Sequence, residues 1–140
     1  MANGGGLDEQ QWQQLEKPLL AIDPIINEFA AANGLAVTRN QKDWPERSIV
    51  WNENGVRCLI QLYLASEKLL TYNLWLCASQ DRGSERFWKQ ESPVRNQPVA
   101  AFSGQLAELL GEGREKLRSW SDNPSVLGYA TGIGGKAPDR

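Results

Sequence analysis

Apolar residues recur at helical spacing near the start of the chain and again in its last third. The first stripe follows Asp8, whose side chain can cap a helix, and ends at Asn33-Gly34, where glycine tolerates the left-handed backbone. It contains Pro18 and the pair Asp23-Pro24, so the pattern predicts either one kinked helix or two consecutive helices. The second stripe, over residues 99–120, predicts a C-terminal helix.

The predicted C-terminal helix contains glycines on and near its apolar stripe. Each glycine weakens a helix by roughly 1 kcal/mol relative to alanine. Gly113 lies on the stripe itself, and Gly111 lies beside it. Either Gly113 lets the helix approach the sheet closely, or the helix breaks near Gly111.

Between the two helical regions, apolar residues alternate with polar ones as they do in β-strands. Asn54-Gly55 is a strong hairpin signal, because the favoured two-residue turn needs positive φ at both positions. Five strands are predicted, at residues 35–40, 47–52, 56–66, 69–79 and 86–91.

This order of elements predicts an α+β fold in a single domain over residues 8–120. We expect an N-terminal helix or helix pair, a five-stranded antiparallel meander, and a C-terminal helix packed on one sheet face. Residues 1–7 are predicted to be a flexible N-terminus. Residues 121–140, rich in Gly, Pro, Ser and Asn, are predicted to be a tail that is flexible or that orders on a partner.

The hairpin registers assign each side chain to one face of the sheet. With Asn54-Gly55 in the turn, Ile49 lies opposite Ile60 on a face that is apolar throughout. For the next hairpin, the hydrophobic pattern selects an odd-length loop such as 66–68, which places Ile60 opposite Leu74. This apolar face is the predicted core.

The same registers leave a second sheet face that carries aromatic rings, amides and a guanidinium group. Such groups are typical of interface hot spots and of ligand-orienting sites. The candidate partner-binding residues on this face are Arg57, Gln61, Tyr63, Asn73, Trp75 and Trp88. The alternative interpretation is that these side chains only stabilise the sheet, because Tyr and Trp cover a pleated surface well.

Composition excludes several chemistries. The chain has 140 residues and no histidine, so a zinc site of the usual Cys/His kind lacks ligands and a Ser or Cys nucleophile lacks its usual base. The two cysteines, Cys58 and Cys77, are predicted to be packed thiols within strands, with a single disulfide between them as the alternative. Turn carboxylates such as Glu53 and Asp81 are predicted to be solvated. No metal, cofactor or catalytic set is indicated.

Charge and hydropathy narrow the partners further. A formal net charge of −2 without long runs of like charge argues against a nucleic-acid binder that relies on bulk electrostatics. The chain has no leader-like start and no long apolar segment, so we expect a soluble, cytoplasmic protein without membrane insertion.

These observations favour a non-catalytic binding or accessory protein over an enzyme. We expect it to act through protein-protein contact, using the aromatic and polar sheet face and the C-terminal tail with Val126, Leu127 and Tyr129. The alternative is a small-molecule-binding domain, or an enzyme, with a pocket between sheet and helices lined by Trp51 and Tyr72.

Overall fold

The computed structural model describes residues 7–40 and 45–129, and it confirms the predicted α+β architecture. Five strands form an antiparallel meander in chain order, and a two-residue sixth strand joins its far edge. The elements are α1 (Glu9–Ala32), β1 (Val37–Asn40), β2 (Glu46–Glu53), β3 (Val56–Ser66), β4 (Thr71–Arg82), β5 (Glu85–Gln97), α2 (Val99–Phe102), α3 (Leu106–Asp122) and β6 (Gly128–Tyr129).

The N-terminal helical region is one continuous helix rather than a pair. Its capping box is complete: the Gln11 backbone N–H donates to Asp8 Oδ1 at 2.8 Å, and the Asp8 N–H donates to Gln11 Oε1 at 3.0 Å. Both Pro18 and Pro24 lie inside α1. The buried stripe of the helix continues past both prolines, so packing on the sheet outweighs the hydrogen bonds that they remove.

The C-terminal helical region is interrupted at Ser103–Gln105, before the position near Gly111 where a break was considered. A single 3₁₀ turn at Ser103–Gln105 separates α2 from α3, and α3 then runs without a break through Gly111 and Gly113. A Cβ atom on Gly113 would lie 2.8 Å from Leu76 Cδ2, whereas one on Gly111 would have no neighbour within 4 Å. The close approach of the helix to the sheet is therefore the alternative that holds.

The first hairpin has the predicted register, with Ile49 opposite Ile60. Its turn residues Asn54 and Gly55 have φ of 54° and 77°, as this two-residue turn requires. The second hairpin differs by two residues from the prediction, because Leu62, not Ile60, lies opposite Leu74. A shift of two residues leaves every side chain on its predicted face.

The predicted odd-length loop of the second hairpin was wrong, and the structure shows the reason. The pairing is irregular between Leu64 and Ser66, and the loop then occupies residues 67–70. Leu70 adopts a φ of 55°, which a branched side chain rarely does and which no sequence signal announced.

The described part of the predicted tail belongs to the domain. α3 ends at Asp122, Leu127 is buried in the core, and Gly128–Tyr129 pair with β5. At the other end, Leu7 packs against the same core. Residues 1–6 and 130–140, the rest of the predicted termini, lie outside the described residues.

Candidate functional site

The outer face is the side of the sheet opposite to α1 and α3. Leu59, Trp75 and Cys77 form a small cluster of buried side chains there, separate from the main core, and Tyr63 packs against it. The helices pack on the other side, where they share the main core with the inward residues of the sheet. The sheet thus buries apolar groups on both faces.

Trp75 is held at the centre of the outer face. Its indole Nε1 donates to Gln90 Oε1 on β5 at 2.8 Å, and its ring meets Tyr63 edge-on, with centroids 6.3 Å apart and planes at 82°. Only 6 % of Trp75 is exposed. The ring is therefore covered within the chain itself and is fixed in orientation.

Tyr63 and Asn73 lie directly opposite each other and form the second part of the network. Asn73 Nδ2 donates to Tyr63 Oη at 2.9 Å, and the Asn96 backbone N–H donates to Asn73 Oδ1 at 2.7 Å. Thr71 Oγ1 donates to Asn96 Oδ1 at 2.5 Å. Side chains of three consecutive strands are thereby linked.

Gln61 lies opposite Trp75 and is 5 % exposed. Its Nε2 donates to Ser48 Oγ at 2.9 Å, whereas its Oε1 is buried and has no hydrogen-bond partner. An unpaired buried acceptor costs about 1–3 kcal/mol. Among the described residues, Gln61 Oε1 is thus a buried acceptor of the outer face without a hydrogen bond.

Arg57 and Trp88 occupy one end of the outer face. Both lie opposite Ser79, Arg57 on β3 and Trp88 on β5, so they flank that residue from either side. Arg57 is exposed and Trp88 is half-buried. Two residues further along β4 and β5, Asp81 lies opposite Arg86, and Arg86 Nε donates to Asp81 Oδ1 at 2.9 Å. This end of the face combines an indole with two guanidinium groups.

The structure thus brings four of the six candidate residues into one contact network: Gln61, Tyr63, Asn73 and Trp75. Arg57 and Trp88 share the face but stand apart from that network, one on each side of Ser79. Three supporting residues, Ser48, Gln90 and Asn96, were not among the six candidates. Asn96 has a φ of 56° and is placed by irregular pairing between β4 and β5, for which the sequence carries no signal.

The two cysteines are free thiols that point to opposite faces. Cys58 lies opposite Ala78 on the core side, and Cys77 lies opposite Leu59 on the outer side. Burial raises the pKa of Cys77 from its ordinary 9.0 to about 12, against the opposing effect of the nearby Arg57 and Arg86 charges. Neither thiol is activated as a nucleophile.

Glu53 is not the solvated turn residue that was expected. Its carboxylate accepts from Arg114 Nη1 at 2.5 Å and from Trp51 Nε1 at 3.0 Å, and Arg118 Nε lies 3.6 Å away. The Arg114 guanidinium also lies over the Trp51 ring, 4.9 Å from its centroid. Glu53 therefore fastens the first hairpin to α3.

The alternative hypothesis places a pocket between the sheet and the helices, and one small cavity lies there among the described residues. The cavity between sheet and helices has a volume of about 10 Å³ and is lined by Ile26, Arg47, Ile49, Ile60, Leu62, Leu74, Leu106 and Leu110. That is about the space of one water molecule. Tyr72, proposed to line the pocket, is buried and donates from its hydroxyl to the Pro45 carbonyl at 2.9 Å.

The described residues contain no group of three or more Cys, Asp or Glu side chains that could hold a metal ion. None of the described helices is both long enough and apolar enough to cross a membrane.

Comparison of the chain with protein-family models, with curated proteins and with solved structures found no match. The interpretation of the outer face therefore rests on its own residues.

Proposed function

We propose that this chain is a non-catalytic accessory protein of the cytoplasm that acts through protein-protein contact at its outer face. The observation that carries the proposal is the fixed aromatic and amide network around Trp75, on the side of the sheet opposite to α1 and α3. A rigid aromatic centre with a polar rim is the usual organisation of a binding hot spot.

The six candidate residues divide into support and contact. Gln61 and Trp75 are buried in the chain itself, so they shape the surface rather than meet a partner directly. Contact falls to the exposed Arg57 and to the half-buried Tyr63, Asn73 and Trp88. Because Asn73 donates a hydrogen bond to Tyr63, these two contact side chains lose little side-chain entropy when a partner binds.

The cytoplasmic assignment is supported by the two free thiols. Cys58 and Cys77 are both unpaired cysteines, and they lie on opposite faces of the sheet. Disulfides are formed mainly by proteins of oxidising compartments.

Two other interpretations compete with protein binding, namely stabilisation of the sheet alone and binding of a small molecule. The hydrogen bonds of Trp75 and Tyr63 also stabilise the sheet, and that alone would explain them. For small-molecule binding, an open depression of about 340 Å³ lies beside α1 and α3, and its single charged lining residue is Glu28. A ligand site usually offers several convergent polar groups, which favours the outer face over this depression.

The test is affinity purification from the native cells with quantitative identification of the copurifying proteins. We expect Trp88→Ala to deplete the specific partner by about tenfold or more, as loss of an interface hot spot does. Leu20→Ala, which removes an exposed apolar side chain from α1, is the matched control and should retain the partner. An unchanged set with Trp88→Ala and with Arg57→Ala, while thermal stability falls, would leave the face with a structural role only.

A further inference from the structure

The charges of the outer face are separated along the strands. Arg57 lies at one end of β3. Glu46 lies on β2, opposite Tyr63, which is near the other end of β3. Six residues of extended chain separate the two positions along the sheet, roughly 20 Å. The Arg57 end is therefore cationic although the whole chain carries a formal charge of −2.

Arg57 is the uncompensated charge of this end. The neighbouring Arg86 is already paired with Asp81 at 2.9 Å, which places its charge against a carboxylate of the same chain. No described residue forms an ion pair or a hydrogen bond with the Arg57 guanidinium. Arg57 and Arg86 both lie near enough to the Cys77 thiol to act on its pKa, so both charges belong to the outer face.

An aromatic side chain stands beside this free charge. Trp88 lies across Ser79 from Arg57 and is half-buried, so part of its indole is available. A carboxylate that docked here would meet a guanidinium, a planar donor suited to two-point binding of carboxylates. Covering the neighbouring indole would exclude water and strengthen that ion pair.

We propose that the partner of the outer face presents an acidic side chain next to an aromatic or aliphatic one, with the carboxylate on Arg57 and the apolar group on Trp88. This inference rests on the proposed function and names the chemistry of the partner. It is carried by charge complementarity, because Arg57 is exposed and unpaired among the described residues while Arg86 is neutralised.

A random-peptide library displayed on phage tests the proposal with the full chain as bait. Peptides enriched on the wild-type protein should carry Asp or Glu beside an aromatic or aliphatic residue. A synthetic peptide of the enriched sequence should bind Arg57→Ala about tenfold or more weakly, because an interfacial charge-assisted hydrogen bond is lost. Changing the acidic residue of the peptide to its amide should weaken binding to the wild-type protein by a similar factor. The amide peptide should bind Arg57→Ala no more weakly than the acidic peptide does, because both changes remove the same ion pair.

Matched variants separate charge from fold. Lys17→Ala removes one exposed positive charge from α1 and should leave peptide affinity unchanged, and Glu46→Gln should not weaken it. Trp88→Phe keeps an aromatic ring in place if Trp88→Ala is poorly folded. Arg57→Glu should select lysine- or arginine-containing peptides instead.

The outcomes distinguish the two proposals. Peptides that need Trp88 but bind Arg57→Ala normally would overturn the acidic partner and leave the outer face as the binding surface. Enriched peptides indifferent to both substitutions would overturn both proposals. Binding of a single-stranded oligonucleotide through Arg57 and Trp88, in preference to the peptides, would overturn the protein partner in favour of nucleic acid.

Discussion

Arg47 on β2 and Asp23 on α1 form a two-point ion pair inside the protein. Arg47 Nε donates to Asp23 Oδ1 at 2.6 Å and Arg47 Nη2 donates to Asp23 Oδ2 at 3.2 Å. The two side chains are only 1 % and 8 % exposed. Arg39 Nη2 reaches Asp23 Oδ2 at 3.3 Å from the surface side. The pair fastens α1 to the sheet.

Asp23→Leu should destabilise the protein by about 3–5 kcal/mol, because it removes the carboxylate that accepts two hydrogen bonds from the buried Arg47 guanidinium. The double variant Asp23→Leu with Arg47→Met should recover most of this loss, since both charges are then replaced by apolar groups. Urea unfolding monitored by tryptophan fluorescence measures both. A double variant no more stable than Asp23→Leu alone would show that the pair is not the cause.

Arg39→Gln is the control for the buried pair. It removes a neighbouring arginine whose side chain is 39 % exposed, so the expected loss is at most about 1 kcal/mol.

The sequence predicted the side on which each strand residue lies better than it predicted the pairing. Alternation fixes the face of Leu62 and Leu74 whatever the loop length, because a shift by two residues preserves parity. The loop itself depends on the positive φ of Leu70 and on the irregular pairing near Ser66, which long-range packing imposes against local preference.

The candidate site was predictable in composition but not in detail. Alternation placed Gln61, Tyr63, Asn73 and Trp75 on one face, and they do meet. The full hydrogen-bond network was not predictable, because it includes Asn96, which reaches Asn73 through irregular pairing between β4 and β5. The arginine partners of Glu53 were missed because α3 supplies them from far along the chain.

The close approach of α3 predicts opposite effects for two glycine substitutions. Gly111→Ala should stabilise the protein by about 0.5–1 kcal/mol, because the new methyl group meets nothing and helix propensity rises. Gly113→Ala should destabilise it by about 1 kcal/mol net, because the methyl must displace the buried Leu76 side chain. Denaturant unfolding of both variants decides the sign, and equal stabilisation by both would contradict the tight contact.

Glu53 should make stability depend on acid pH. The hydrogen bond from Arg114 is the main cause that holds the pKa of Glu53 below its ordinary 4.5, opposed by burial and assisted by Trp51. Because the pKa is lower in the folded state, the contribution is complete above the unfolded value and is lost as the pH falls through the folded one.

The measurement is the free energy of unfolding of wild type and of Glu53→Gln as a function of pH. At pH 7 the variant should be about 1–2 kcal/mol less stable, because a charge-assisted and partly exposed bond is weakened. The difference should shrink as the pH falls below about 4.5, where the unfolded glutamate is protonated. Glu112→Gln is the control, because it removes an exposed carboxylate from α3, the helix that carries Arg114. It should change stability by less than about 0.5 kcal/mol.

Trp75 covers Cys77 on the outer face, so its removal should expose one thiol and not the other. In the native wild type, burial raises the pKa of Cys58 to about 11 and that of Cys77 to about 12, and both thiols should label slowly with a thiolate-selective reagent at pH 8. Trp75→Ala should accelerate labelling of Cys77 and leave Cys58, on the opposite face, unchanged; mass spectrometry of the labelled peptides separates the two sites.

Trp75→Phe is the control for this labelling experiment, because it loses the hydrogen bond to Gln90 but keeps an aromatic ring in the buried cluster that contains Cys77. Its labelling should stay close to that of the wild type, whereas Trp75→Ala should also lower the free energy of unfolding by about 3–5 kcal/mol. Equal acceleration at Cys58 and Cys77 would mean that global unfolding, not local uncovering of the outer face, had exposed the thiols.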